Sequence, residues 1–579
     1  MLPRFFLMLL LGSAAFGLRA QTAAPTATVL PANVFTSSVW SGNVTPTSAS
    51  VVVRLNTAGL RVRLLVSTNP SLTAPIFSGV VTTAAAAGNI VTLNMSSLQS
   101  DTEYFYGVEV AGVVRAEPQS RGRFRTFPLG RASFKIAFGS CGDFRAADQR
   151  AYEAVLAERP LLFINTGDLH YSDINSTNID DYRSNYDAVL SQPQQSALYR
   201  GVPIAYMWDD HDFCGNDSDG NAVGRDTARN AYKERVPHYP IASAGGTIAQ
   251  VFTIGRVRFI MTDVRSAAND SGIKESATKT RLGATQKAWF KQELISARDA
   301  GFPLIVWINT NPWIDAPLVG ADSWAGWATE RTELANFIRD NRISNLAILS
   351  GDMHALAYDN GTNSDYATGG GAPIQVLHAA ALTSGASNKG GPYSGGVFPG
   401  SQQYGILEVY DSGGPSIACR FLGMRVGEGA KISAIFSTTT PVASDQTIVN
   451  TSTLAHVAAG SDQISSGFVI AGRSSRTVLV RAVGPTLADF GLADPLVNPL
   501  LFLYQGDKLI AQSEGWAPDD DAEVRLTAAF DRAGAFRFSS KATRDSALLV
   551  TLAPGAYTLQ VKSADGSGGA TLVEVYDVP

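Results

Sequence analysis

Residues 202–217 read VPIAYMWDDHDFCGND, an apolar run that stops abruptly at Asp209, Asp210, Asp212 and Asp217, gathered around one histidine, His211. Four carboxylates this close repel one another, so a purely structural role would spread them over solvent; a bound cation would hold them together. The run before them is short and continuously apolar, the pattern of a strand buried on both faces. Three other stretches have the same grammar: FKIAFGSCGD (134–143), LLFINTGDLHYSD (161–173) and LAILSGDMHA (346–355). Further apolar strands are expected at 258–262 and 304–308, with helical segments at 148–157, 285–297 and 329–340 between them. Strands alternating with helices predict a layered α/β domain. In such a sheet the loops at the carboxyl ends of neighbouring strands open onto one crevice, so clusters far apart in sequence should meet.

The chemistry these clusters suggest is a two-metal site, in which paired cations share a carboxylate and clamp a phosphoryl group between them. A Gly-Asp pair suits that task, because glycine permits a tight backbone turn and the aspartate reaches both ions.

The four clusters, in this order, resemble the PhoD-like branch of the calcineurin-like metallophosphoesterases, exported bacterial alkaline phosphatases and phosphodiesterases. The resemblance covers about half the chain and extends to TDVRS (262–266), LGATQKAW (282–289) and DSWAGWATER (322–331). It implies a metallophosphoesterase-type layered β-sandwich core with flanking helices. It also implies that Cys141, Asp168, Tyr171 and His354 surround one metal, with Asp168 bridging to a second held by Asp210, Asp352 and either Asn309 or Asn311. Thiolate and phenolate favour Fe3+, and an all-oxygen site suits Ca2+ or another hard dication. His211 would face the substrate as charge stabiliser or general acid. Arg265 would bind phosphate oxygens or pair with a nearby acid. No side-chain nucleophile is needed, and a metal-bound hydroxide would attack in line. The pattern departs from the commoner metallophosphoesterases, which open with Asp-x-His and close with Gly-His-x-His; here Ser140-Cys141 and Gly351-Asp352-x-His354 stand instead, as in the PhoD-like branch.

Other polar residues have blander readings. His170 is expected behind or beside the ligands, and Cys214 as a structural thiol. Gly-Asn-Asp-Ser-Asp-Gly220 and Asp519-Asp-Asp521 read as solvated loops. The tryptophans at 313, 324 and 327 read as core, with Trp324 the candidate for a substrate rim.

Around the core, residues 1–20 read as a secretory signal peptide, a basic Arg4 followed by an apolar stretch and small residues. Residues 21–130 are expected as an N-terminal all-β sandwich, in which LQSDTEYFY (98–106) resembles the tyrosine corner of fibronectin type III-like domains. Residues 131–425 form the catalytic domain, a Gly/Ser/Thr-rich passage (423–446) follows, and 447–579 is a second all-β sandwich with an accessory, cell-surface role. The three cysteines are odd in number and imply no disulfide framework. A net charge of −5 with 17% charged residues argues against a nucleic-acid groove. No segment has the length of a transmembrane span. The expected function is therefore hydrolysis of a small phosphoester outside the cytoplasm, an alkaline phosphomonoesterase first. A phosphodiesterase of nucleotides, phospholipids or teichoic acid is the alternative, and a non-catalytic, metal-stabilised surface protein a third.

Overall fold

The computed structural model describes residues 33–414, 416–440, 450–460, 463–470 and 475–578. The expected signal peptide lies outside them. The chain divides into two compact units, Met1–Pro441 and Val442–Pro579.

Among the described residues, unit one has three sheets, of which two build its centre. The first has nine strands: β1 (Trp40–Gly42), β2 (Ala49–Arg54), β3 (Ile90–Met95), β4 (Phe134–Gly139), β5 (Phe163–Thr166), β6 (Ile204–Met207), and three strands late in the chain. Its order across the sheet runs from the late hairpins through β4, β5 and β6 to β1, β2 and β3. Strands β4, β5 and β6 are parallel, as the alternation of strands and helices predicts. The second sheet contains β7 (Gln250–Ile254), β8 (Val257–Met261), β9 (Leu304–Ile308), β10 (Leu346–Ser350), β11 (Ala355–Asn360), β12 (Gln375–Ala379) and β13 (Val397–Pro399). Its order is β7-β8-β9-β10-β12-β11-β13, with β8, β9, β10 and β12 parallel.

The two-residue period of a strand explains why these runs are apolar throughout. In β9, Leu304, Val306 and Ile308 join one core with Phe138 and Ile164 of the facing sheet. Ile305 and Trp307 point the other way, into a second core with Phe290 and Leu294 of helix Ala284–Asp299 and Leu334 and Ile338 of helix Ala328–Asp340. Helices Arg150–Glu158 and Pro193–Gly201 cover the outer face of the first sheet, Tyr152 meeting Tyr199 edge-on and Tyr199 lying against Phe163. The result is a face-to-face pair of sheets flanked by helices, the α/β class expected.

The strands β1, β2 and β3 are continuous with this sheet, since Gly42 pairs in parallel with Ile204. A separate sheet follows at Arg61–Ser67 and Glu103–Val110, and Tyr104 Oη accepts from Gln99 N at 3.0 Å, which closes the corner at 98–106.

The passage 423–446, expected as a linker, begins instead with structure. Ser416–Arg425 and Gly429–Thr439 pair as a hairpin that extends the first sheet. Composition hid it: in Gly429–Thr439 the buried residues are Ile432, Phe436 and Thr438, on one face of a strand otherwise rich in Ser, Thr, Gly and Ala.

Unit two is two four-stranded antiparallel sheets, with a core of its own around Leu501, Leu559 and Val573. Asp519-Asp-Asp521 is not a solvated loop there. Asp519 accepts from Ala522 N at 2.7 Å and caps helix Asp520–Ala533, whose N-terminal end favours the two acids that follow. Among the described residues, no helix is long and apolar enough to cross a membrane.

Candidate metal centre

The loops leaving β4, β5, β6 and β10 converge, and three of their residues have left-handed backbone: Cys141 (φ 60°), Asp168 (φ 52°) and Asp352 (φ 72°). That conformation costs a non-glycine residue about 1–3 kcal/mol and persists where surrounding structure enforces it. Glycine makes the turns possible. A side chain at Gly351 would place its Cβ 2.5 Å from Thr166 O and 2.6 Å from Ser140 Oγ, so the loops of three strands close on one another only because it has none.

One ligand atom each from Cys141, Asp168 and His354 lies within 4.8 Å of the others. Cys141 Sγ is 3.5 Å from Asp168 Oδ2, and Tyr171 Oη is 3.0 Å from both Asp168 Oδ2 and His354 Nε2. His354 Nδ1 lies 2.6 Å from Gly385 O, an acceptor only, so Nδ1 carries the proton and Nε2 turns a lone pair toward the cluster. Asp168, Asp210 and His211 form a second such group. His211 Nδ1 meets Asp173 Oδ1 at 2.6 Å, and its ring lies 4.2 Å from that of Tyr171.

The four aspartates of the opening stretch have separate partners. Asp209 accepts from Arg265 Nε (2.6 Å) and Asn311 Nδ2 (3.0 Å). Asp212 accepts from Tyr206 Oη, Leu169 N and Asp209 N. Asp217 groups with Asp210 and Asp322. Asp210 takes one hydrogen bond, from Asp217 N at 2.7 Å on Oδ2, and its Oδ1 has none.

Arg265 is an ion-pair residue in this geometry. It is 1% exposed, binds Asp209, forks onto both oxygens of Asp322 at 2.6 and 2.7 Å, and has Asp210 at 3.5 Å. Three carboxylates fix it beneath the cluster, and no face of the guanidinium is left for phosphate. Of the two asparagines, Asn309 is tied to Trp324 Nε1 and Asn311 O, while Asn311 Nδ2 reaches Asp352 Oδ2 (3.1 Å) as well as Asp209. Asp352 lies beside the cluster with its other oxygen 2.6 Å from Lys389 Nζ. Trp324 is fully buried against Trp307 and Trp313, not at a rim. His170 is buried too, and burial drives its pKa down to about 3. Cys214 sits 3.8 Å from Tyr182 Oη, away from the cluster.

The electrostatics suit a cation. Burial, and then the neighbouring Cys141 and Asp210, push the Asp168 carboxyl well above its ordinary range. Burial likewise raises Cys141 to about 12. Asp168 Oδ1 and Asp210 Oδ1 are buried without a hydrogen-bond partner; the Arg265 guanidinium 3.5 Å from Asp210 Oδ1 offsets that cost there, whereas at Asp168 the arrangement is costly unless something positive binds. The donors divide by type: sulfur, imidazole nitrogen and phenol oxygen gather with Asp168 in one group, and carboxylate oxygens dominate beside it in the other. The residues fit a dinuclear centre.

Residues 136–393 match the PhoD-like phosphatase family, and residues 21–128 match the N-terminal domain of the same family. The chain belongs to the PhoD-like phosphatases. Alkaline phosphatase D of Bacillus subtilis (strain 168) is 26% identical over 282 residues, covering 40% of this chain and 48% of that protein, so the match spans about half the relative's length. The solved structure of PhoD aligns over 70% of this chain and 91% of its own at 20% identity, with a TM-score of 0.58, and supports the same fold. A purple acid phosphatase from yellow lupin (Lupinus luteus) aligns over 70% of this chain and 74% of its own at 11% identity, with a TM-score of 0.47. Lys389, Asn311, Asp209 and Asp322 also border the site; Asp209 stood in the opening stretch, Asn311 among the candidate ligands and Asp322 in a quoted motif, whereas no sequence signal marked Lys389.

Proposed function

We propose that this chain is an exported, metal-dependent phosphoric ester hydrolase, with phosphomonoesters its preferred substrates at alkaline pH. The observation that carries the reading is the buried Asp168 carboxylate, whose Oδ1 has no hydrogen-bond partner, flanked by Cys141, Tyr171 and His354 and with Asp210 beside it. Cys141, Asp168, Tyr171 and His354 would hold one ion, with iron as Fe3+ the best match to thiolate and phenolate; Asp168, Asp210 and Asp352 would hold a hard dication such as Ca2+. When bound, the ions supply charge neutralisation for the phosphoryl oxygens and activation of a water molecule. The chain's own residues orient and shield: Arg265 holds Asp209 and Asp322 in place, and His211, fixed by Asp173, stands beside Asp168 and Asp210 where a leaving oxygen needs a proton. Residues 1–20 would direct export, 21–130 form a fibronectin type III-like N-terminal domain, 131–425 the catalytic domain, and 447–579 an accessory domain for surface association.

The test is elemental analysis of purified protein together with a panel of phosphomonoesters and phosphodiesters. Bound metal and turnover, both lost in Asp168→Asn, are expected. A protein that binds no metal and cleaves none of the esters would reject the reading in favour of a non-catalytic surface protein, and turnover unchanged in Asp168→Asn would reject the metal site assigned here.

A further inference from the structure

A fifth segment completes the site, TSGASNKGG at 383–391. It folds over the cluster and is tied down along its length. Thr383 N and Ser384 N both donate to Cys141 O at 3.2 Å, and Thr383 Oγ1 accepts from Asp143 N at 2.7 Å. Gly385 O holds the His354 ring, and Ser387 and His354 exchange two bonds, Ser387 N to His354 O (3.3 Å) and His354 N to Ser387 Oγ (3.2 Å). At its far end Gly391 N donates to Ile314 O at 3.0 Å. Lys389 is presented between these anchors.

The Lys389 ammonium lies 2.6 Å from Asp352 Oδ1, and its side chain is 40% exposed. Of its three N–H donors, Asp352 takes one; no other hydrogen bond from Nζ exists among the described residues. Other cations nearby are not so disposed. Arg265 is buried and saturated by carboxylates. Arg281 is fully buried, bonded to Asn311 and Ser323 O and stacked 4.1 Å over Trp327. Arg145, at the rim, is held by both oxygens of Asp143 and by Tyr171 O. Lys389 is thus a cation at the metal centre with donors still facing outward.

We propose that Lys389 binds a non-bridging phosphoryl oxygen of the substrate and that its charge sets a preference for dianionic phosphomonoesters over monoanionic phosphodiesters. This rests on the hydrolase reading above. A monoester loses its second proton near pH 6, so above that pH it carries one more negative charge than a diester. Asp352 holds the ammonium at the edge of the centre, and a carboxylate has lone pairs enough to serve the lysine and a metal together.

The experiment compares wild type with Lys389→Met and Lys389→Arg on p-nitrophenyl phosphate and bis-p-nitrophenyl phosphate, at a pH about two units above the monoester's second ionisation. Both kcat and KM are measured, and bound metal is determined on the same preparations. Lys389→Met should lose about ten- to hundredfold in kcat/KM on the monoester and under about threefold on the diester, the size expected for one charge-assisted hydrogen bond. Inhibition by inorganic phosphate should weaken in parallel, Lys389→Arg should recover most of the monoester preference, and metal content should not change. Parallel losses on both substrates, an unchanged ratio, or loss of metal from Lys389→Met would overturn the assignment while leaving the hydrolase reading intact. A metal-loaded wild type that cleaves neither ester would instead overturn the hydrolase reading, and Lys389's role with it.

Discussion

Asp210 and Asp168 meet in the same cluster, yet their surroundings treat them oppositely. Burial works against an ionised Asp210, but the nearby Arg265 and His211 and the bond from Asp217 N outweigh it and hold its carboxyl at about 2. Asp168 has no such cation, and burial with Cys141 and Asp210 raises its carboxyl well above the ordinary range. Of the two, Asp168 is therefore the residue whose ionisation depends on the ion it is proposed to hold. His211 differs again: Asp173 at 2.6 Å and the ring of Tyr171 fix its orientation. If it supplies the proton to the leaving oxygen, His211→Asn should lower kcat by about 10²–10⁴-fold on alkyl phosphates, whose leaving groups need that proton. The loss should be much smaller on p-nitrophenyl phosphate. Steady-state rates on both substrate types check this; equal losses would assign His211 to charge stabilisation alone.

At the scale of elements, the site depends on how closely three strand ends approach. Gly351→Ala would drive a methyl group into Thr166 O and Ser140 Oγ, so the β10 loop must retreat from β4 and β5. We expect a loss of about 1–3 kcal/mol in stability, seen as a lower urea midpoint, together with a fall in kcat. Strand β12 carries a different liability in His378, which is fully buried, bonded by Nε2 to Met353 O at 2.8 Å and unpartnered at Nδ1. Burial lowers its pKa to about 4. In the unfolded chain the ring takes a proton near pH 6.5, and in the folded chain only near 4. Its contribution to stability is thus whole above about 6.5 and is lost as pH falls from there toward 4, by about 3 kcal/mol. Urea unfolding as a function of pH should show this fall, and His378→Gln should flatten that part of the profile.

For the whole molecule, every residue assigned to the metal centre lies in the first unit, from Cys141 to Lys389. That unit has its own two cores, and the second unit closes a separate one around Leu501, Leu559 and Val573. A chain ending at residue 440 should therefore fold and keep kcat/KM within about twofold of the full chain, as independent cores allow. Circular dichroism and turnover of the shortened protein check it.

Much of this was legible in the residues themselves. Continuous apolar runs announced the central strands, because a strand covered on both faces cannot alternate. The Gly-Asp and Ser-Cys endings announced the loops, because only glycine lets strand ends close so tightly. Where the side chains point was another matter. Arg265 read first as a phosphate ligand and nearly as well as an ion-pair partner, and only the fold, by placing Asp209 and Asp322 around it, shows the ion pairs. Asn309 and Asn311 are two residues apart on one loop, and the packing of Trp324 decides which is free to reach Asp352. Lys389 sits in a run of small polar residues that reads as any surface loop. It becomes part of the site because Cys141, His354 and Ile314, distant in sequence, bind that loop down. Local pattern dictates strands and turns through backbone geometry and apolar burial, whereas the partner of each charge is set by contacts between distant segments, which exist only once the sheets have packed.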